Sequence, residues 1–125
     1  MSGFTQSQDQ SILDTKFPTS GATNYIMYSE TASSPYTESA NLARTPIGAT
    51  GWSAATAAKP SVKSNNTALT SAGATAACTI YAVAIADAAT GGNQIVDWQA
   101  LGSPITLNVN DQITWAINAL QVTEN

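Results

Sequence analysis

The stretch Thr79–Trp98, TIYAVAIADAATGGNQIVDW, decides the fold that this sequence predicts. An apolar run precedes the polar segment DAATGGN (87–93), and a second apolar run follows it. Two such runs joined by a glycine-bearing turn are typical of a β-hairpin. Gly91 and Gly92 permit the positive φ of a chain reversal, and the Asp and Asn side chains of the turn can bond nearby backbone amides. We therefore expect this stretch to form the central hairpin of an all-β domain.

Upstream of the hairpin, the sequence indicates several short strands. Residues 24–29 (NYIMYS) have apolar side chains on both alternating faces, which predicts either a strand buried on two sides or one that faces a partner. Residues 42–47 predict extended chain, and Pro46 favours a sheet edge there. The segment WSAATA from Trp52 and the segment VKSNNTAL from Val62 are also expected to form strands, whereas 71–76 predicts a connection into the hairpin.

Downstream, Gly102, Ser103 and Pro104 predict a turn, and residues 105–109 then alternate between apolar and polar. A turn at Asn110–Asp111 leads into a second alternating segment over 113–117, and a last strand is expected from Leu120. About eight short strands with regular turn signals are typical of an antiparallel β-sandwich or jelly-roll-like domain, which is the fold class we predict.

The N-terminal segment is predicted to be distinct from this domain. Residues 11–17 can form a short helix that ends before Pro18, because proline disfavours helical conformation in the residue before it. Such a short helix must dock on its own domain or on a neighbouring subunit. We therefore divide the chain into an N-terminal arm, 1–23, and a β-sandwich domain, 24–125.

The composition narrows the classes of function. Of the 125 residues only 10% are charged and the net charge is −4, so no basic patch is available for nucleic acid. No segment has the roughly 20 apolar residues of a membrane span, so a membrane partner is not expected. The N-terminus lacks the pattern of a signal peptide, which predicts synthesis in a cytoplasm. A weakly ionic polar surface suits a protein packed against other proteins.

The side chains that catalysis usually requires are scarce. The chain has no histidine and one cysteine, so it lacks a Ser-His-Asp relay and a zinc ligand set. We therefore expect that the protein is not an enzyme and binds no metal and no cofactor. Asp87 and Asp97 flank the hairpin turn as a glycosidase-like pair, but the simpler interpretation is that Asp87 caps the turn and Asp97 faces solvent. Cys78, among small and apolar neighbours, is expected to be buried.

The aromatic residues leave a sugar-binding alternative open. Trp98 and Trp115 are in phase with apolar neighbours, which favours core packing, whereas the position of Trp52 after a glycine leaves its role undecided. Exposed aromatics such as Trp52, Tyr25 or Tyr36 could stack on sugar rings.

The segments DAATGGN, PITLNVNDQITW and ALQV resemble, in this order, a widespread family of small tailed-bacteriophage virion proteins. Upstream, SILDTKF, YIMYSETASSP and NLARTPI are similar to an opening helix and two strands of that family. The resemblance covers about residues 11–122. Asn110 stands where the family has glycine, Ser29 where it often has histidine and Leu42 where it usually has tyrosine, while Arg44 is retained. The resemblance implies a β-sandwich virion component without enzymatic activity.

Our leading hypothesis is a capsid decoration, or cement, protein that binds the shell of the major capsid protein as a homodimer or homotrimer. The alternatives are a tail-fibre module that binds a receptor or carbohydrate, and a neck or tail adaptor. All place the protein in the virion, after synthesis in the bacterial cytoplasm. Loop 30–41 is also an expected contact region. The residues expected to contact a partner are Phe4, Ile12, Leu13, Phe17, Tyr36 and Arg44.

Overall fold

The computed structural model describes residues 24–47, 52–56 and 61–124, and every regular element in these ranges is a β-strand. The strand pairs whose residue register is defined are all antiparallel, so the predicted all-β antiparallel class is confirmed. The predicted arm, 1–23, and its helix lie outside the described residues. The strands are β1 (Tyr25–Ser29), β2 (Thr45–Pro46), β3 (Ser61–Ser64), β4 (Leu69–Thr70), β5 (Cys78–Ala86), β6 (Gln94–Leu107), β7 (Thr114–Trp115) and β8 (Gln121–Glu124).

The chain divides into two compact units. The sheet unit consists of residues 24–46 and 70–114, and the Asn65 unit takes its described residues from 47–69 and 115–125. A four-stranded sheet in the order β2-β1-β5-β6 forms the sheet unit. Strands β3 and β8 pair in the Asn65 unit, and β4 and β7 form a small two-stranded sheet.

Strand β1 is buried on both faces, which is the first of the two alternatives that its sequence left open. Ile26 and Tyr28 are fully buried on one face and Met27 is 6% exposed on the other. The reason is topological, because β1 lies between β2 and β5 and its side chains therefore meet neighbours on both faces. Pro46 is on edge strand β2, as its sequence predicts, and edge strands are where proline is usually found in sheets.

The predicted central hairpin is present as β5 and β6. Its register runs from Ala86 opposite Gln94 to Cys78 opposite Leu107, with three irregularities along the ladder. Most of β5 alternates between buried and half-buried residues, whereas β6 is exposed or half-buried along most of its length. The two strands therefore differ in role: β5 supplies core residues and β6 borders the sheet.

The predicted turn at Gly102–Pro104 is wrong, because β6 continues through it as one strand of 14 residues. Ile80 pairs with Ile105 and Ala82 with Ala100, so residues 101–104 all lie opposite one residue of β5. The glycine and proline are accommodated as an irregular bulge on an edge strand instead of reversing the chain.

The Asn65 unit is organised by one buried amide. Asn65 is 0% exposed, and its Nδ2 donates to the carbonyl oxygens of Thr67 at 2.9 Å and Ala116 at 2.8 Å. Its Oδ1 accepts from the backbone N–H of Leu120 at 2.9 Å. The backbone N–H of Asn65 also donates to Leu120 O, and its carbonyl accepts from Asn118 N, both at 3.1 Å. This set, the Asn65 hub, replaces sheet pairing where the strands end.

Trp52 forms an isolated bridge with Asn65, so the strand predicted from Trp52 is not formed over 52–56. Residues 52–56 are nevertheless hydrogen-bonded to β3, because Ser53 N donates to Ser64 O at 2.8 Å and Thr56 N donates to Val62 O at 2.9 Å. Trp52 is 1% exposed and is a core residue.

The alternating segments near the C-terminus are shorter strands than predicted. Val109 lies beyond the end of β6 and is 56% exposed, and Ile117 lies beyond β7 and is 59% exposed. Each is followed by an asparagine of positive φ, 71° at Asn110 and 67° at Asn118, which turns the chain before the pattern is complete. The predicted turn at Asn110–Asp111 is confirmed, with Asp111 N donating to Asn108 O at 3.0 Å.

Candidate interaction site around the hairpin turn

The turn between β5 and β6 is closed by its first and last residues. Asp87 N donates to Asn93 O at 3.0 Å, and Asn93 N donates to Asp87 Oδ1 at 2.7 Å. Gly91 and Gly92 have φ values of 60° and 67°. The predicted cap by Asp87 and the predicted use of both glycines are therefore confirmed.

Gly92 is required by space as well as by backbone conformation. A Cβ built on Gly92 would lie 2.5 Å from Asp87 Oδ1 and 2.7 Å from the Cβ of Ala88. A Cβ on Gly91 would meet open space, so only its positive φ favours glycine there. The two glycines therefore offer a matched pair for substitution.

Arg44 connects this turn to loop 30–41. Its Nη1 donates to the carbonyl oxygens of Ala88 at 2.6 Å and Gly91 at 2.9 Å. Its Nε and Nη2 donate to the two carboxylate oxygens of Glu38, at 2.7 and 2.8 Å. We call this arrangement the Arg44 clamp. The planar fork of arginine makes it possible, because one side chain donates to a carboxylate and to two carbonyls at once.

The clamp is partly shielded from water. The Arg44 side chain is 6% exposed and that of Glu38 is 36% exposed. The hydrogen bond to Glu38 raises the pKa of Arg44, and this effect outweighs the opposing effect of burial. Arg44 therefore stays charged, and its four donated bonds connect loop and turn as charge-assisted contacts.

The loop from 30 to 41 has its own internal bonds. Glu30 accepts from Ser39 Oγ at 2.6 Å and from Asn41 Nδ2 at 3.1 and 3.2 Å. Ser39 N donates to Tyr28 O at 2.7 Å, which ties the loop to β1. The tip, residues 32–35, is exposed. The loop therefore presents a polar tip on a hydrogen-bonded base.

Tyr36 lies at the end of this tip and contacts Trp98 of β6. The ring centroids are 6.2 Å apart and the planes are inclined by 46°. Both residues are half-buried, and Trp98 also packs on the buried cluster of Met27, Ala84 and Ala86. The predicted packing role of Trp98 is confirmed, and the pair leaves aromatic surface at the base of the loop.

The structure brings two of the six predicted contact residues, Tyr36 and Arg44, onto one segment of the sheet unit. The other four, Phe4, Ile12, Leu13 and Phe17, lie outside the described residues. The donors of Arg44 are directed at its own chain, and contact of these residues with a partner stays a prediction. Sequence reasoning missed Glu38, although it precedes Arg44 by only six residues and offered a carboxylate for it.

The side chains that could take part in catalysis have structural roles in this protein. Asp97 is exposed, as predicted, and its Oδ1 accepts from its neighbour Trp98 N at 2.8 Å and from Gln94 Nε2 at 3.2 Å. Burial raises the pKa of the Cys78 thiol, and the charge of Glu30 raises it further, which disfavours the thiolate. Cys78 is buried, as predicted.

The burial of Trp52 contradicts its use as an exposed sugar platform. Trp52 is instead a core residue, and its backbone forms an isolated bridge with Asn65. Tyr25 and Tyr36 are half-buried.

The described residues contain no group of three or more His, Cys, Asp or Glu side chains placed to hold a metal ion. They also contain no helix that is long and apolar enough to cross a membrane.

Comparison with known proteins identifies one family. No curated protein sequence matches the chain. A family model described as Podophage GP4 fiber I protein gp80 matches residues 5–123, which is nearly the whole sequence. The chain therefore belongs to the Podophage GP4 fiber I protein gp80 family and is a structural protein of a bacteriophage virion.

Proposed function

We propose that the protein is a non-catalytic module of a virion fibre, which contacts neighbouring virion proteins through its N-terminal arm and the tip of loop 30–41. The observation that carries this proposal is the Arg44 clamp. It fixes the loop through Glu38 and the hairpin turn through Ala88 and Gly91 in one arrangement. A loop that is ordered before binding loses less conformational entropy when a partner docks, so the clamp favours a contact role.

The polar groups of the molecule support the same role. Among the described residues, no buried side-chain nitrogen or oxygen lacks a hydrogen-bond partner. The charged side chains around the turn are engaged in closing it and in holding the loop. Groups used in this way are typical of a structural site, whereas active sites usually contain perturbed and unsatisfied groups.

Capsid decoration is the second candidate, with the shell of the major capsid protein as partner. The low charged fraction, 10%, suits repeated packing on a protein shell as well as assembly into a fibre. Labelling the protein in intact particles for electron microscopy and counting its copies by quantitative mass spectrometry separates the two. A fibre, neck or tail component is expected at about six to a few dozen copies, whereas a decoration protein is expected at hundreds.

The loop tip gives a residue-level test of the contact. Ala32 is exposed at the tip, and Ala77 is exposed elsewhere in the sheet unit. Ala32→Arg should reduce incorporation into particles, because a bulky cation enters the proposed contact, while Ala77→Arg should not. Equal incorporation of both variants would remove the loop tip from the contact.

A carbohydrate-binding fibre module is the third candidate, favoured by the half-buried Tyr36–Trp98 pair. A glycan array tests it directly. Specific binding that Tyr36→Ala abolishes would support this function over a purely structural one.

A further inference from the structure

The two edges of the four-stranded sheet differ in length. One edge, β2, has two residues, and one of them is Pro46. The other edge, β6, has 14 residues. A short edge with a proline is protected against pairing with another chain, whereas a long edge strand presents unpaired backbone groups to it. Protection of this sheet against strand pairing therefore depends on β6.

Strand β6 is longer than the facing part of β5 and takes up its extra residues at three places. Ile95 is the extra residue at the first, because its two neighbours pair with consecutive residues of β5. At the second, Asp97 and Trp98 lie opposite one residue of β5, and at the third residues 101–104 do the same. An extra residue in a bulge has no partner on the neighbouring strand. Strand β6 therefore carries more unpaired backbone groups than a regular edge strand.

At the first two bulges, side chains of β6 bond to its own backbone. Trp98 N donates to Asp97 Oδ1 at 2.8 Å, and Gln94 Nε2 donates to Val96 O at 3.2 Å. Gln94 Nε2 also donates to Asp97 Oδ1 at 3.2 Å, which holds this carboxylate beside the Trp98 amide. A bond from a backbone N–H to a carboxylate is charge-assisted and is stronger than one between neutral groups. These two backbone groups are therefore already bonded within the strand.

We propose that Asp97, held in place by Gln94, protects the long edge of the sheet against pairing with a strand of another chain. Its Oδ1 occupies the Trp98 N–H, which another strand would otherwise bond. The third bulge is protected differently, because Pro104 has no N–H to present. The consequence for assembly is that copies of the chain do not join through β6, which leaves contact with other proteins to other surfaces.

Removing the acceptor at residue 97 tests this role. Asp97 is exposed, so Asp97→Ala removes no core contact and frees the Trp98 N–H. The association constant between copies of the chain should rise about five- to tenfold, since one backbone hydrogen bond contributes about this factor. Sedimentation velocity of the full chain over a range of concentrations measures the constant against wild type. Hydrogen exchange of the associated form should slow in peptides from 94–100, because the new contact lies there.

Three further variants separate the hydrogen bond from other effects. Asp97→Asn keeps an oxygen acceptor for Trp98 N without the charge, so it should behave as wild type. Gln94→Ala should raise the association constant by only about two- to threefold, because it frees Val96 O and loosens the carboxylate but leaves the bond to Trp98 N. Gln99→Ala, at an exposed position of the same strand, is the matched control and should not change association.

Stronger association of Asp97→Ala with slower exchange over 94–100, together with wild-type behaviour of Asp97→Asn, supports the proposal. It is overturned if Asp97→Ala associates no more than wild type, or if its association leaves exchange over 94–100 unchanged. Association of Asp97→Asn or Gln99→Ala as strong as that of Asp97→Ala also overturns it, as does pairing of the wild-type chain through 94–100. These outcomes are measured on purified protein, so they are independent of where the protein lies in the virion.

Discussion

The Asn65 hub and the Arg44 clamp solve the same problem with different chemistry. In each, one side chain bonds to backbone groups of a distant segment and so replaces the ladder where strands end. Asn65 is a neutral amide with 0% exposure, whereas Arg44 is a cation paired with a carboxylate that is 36% exposed. From this difference we expect the buried neutral bonds of Asn65 to contribute more to stability than the partly exposed charged bonds of Arg44, because water cannot replace the buried bonds when they are lost.

Asn65→Ala should have the largest effect, a loss of about 3–5 kcal/mol in the free energy of unfolding. The substitution leaves the buried N–H of Leu120 and the part-buried carbonyls of Thr67 and Ala116 without their partner. Chemical denaturation measures the loss, and hydrogen exchange should rise in peptides from 61–70 and 115–124. Asn108→Ala is the control, because Asn108 is exposed, and should change stability by less than about 0.5 kcal/mol. A small effect at Asn65 would contradict the comparison.

Gly92→Ala should follow, with a loss of about 2 kcal/mol. The new Cβ forces the turn to move and also places alanine at positive φ. Gly91→Ala should lose only about 1 kcal/mol, because its Cβ enters open space. Equal losses, measured by denaturation, would mean that conformation alone dictates glycine at both positions. Faster exchange of residues 36–46 in Gly92→Ala would show that the clamp depends on the turn.

The hairpin could be predicted from sequence because its determinants are local. Asp87, the two glycines and Asn93 lie within seven residues, and turn chemistry acts at that range. The Arg44 clamp could not be predicted in the same way. Its bonds to the hairpin turn join residues 44 and 47 positions apart, and only the sheet topology brings them together, although Glu38 lies six residues from Arg44.

Other predictions were wrong because tertiary structure changed the meaning of a local pattern. Gly102 and Pro104 are turn residues, but at a sheet edge they are accommodated in a bulge. The strand predicted from Trp52 is not formed, because Trp52 pairs with Asn65 only through an isolated bridge. The alternation through Val109 and Ile117 continues past the strand ends, where the following asparagines turn the chain.

Arg44→Ala should cost about 1–2 kcal/mol, less than the loss at Asn65, because Glu38 and the turn carbonyls regain some water. Arg44→Lys should recover only part of this, since an ammonium cannot bond both carboxylate oxygens and both carbonyls in the geometry of the fork. Hydrogen exchange in peptides from 36–46 and 86–94 locates the effect. A loss at Arg44 as large as that at Asn65 would mean that charge and partial exposure do not reduce the contribution.

Salt should give the smallest effect and the most specific one, because of the two sites only the Arg44 clamp contains charged groups. Raising sodium chloride from about 0.1 to about 1 M shortens the screening length from about 10 to about 3 Å. The stability difference between wild type and Arg44→Ala should then shrink by a few tenths of a kcal/mol, because the Glu38 carboxylate is partly exposed and its attraction to Arg44 is screened. The difference between wild type and Asn65→Ala should stay constant, since the Asn65 hub contains no charge. Comparing the two differences in the same solutions cancels the general effect of salt on apolar burial. If both shrink equally, the two sites do not differ in electrostatic character, and the bonds of Arg44 to the backbone outweigh its ion pair.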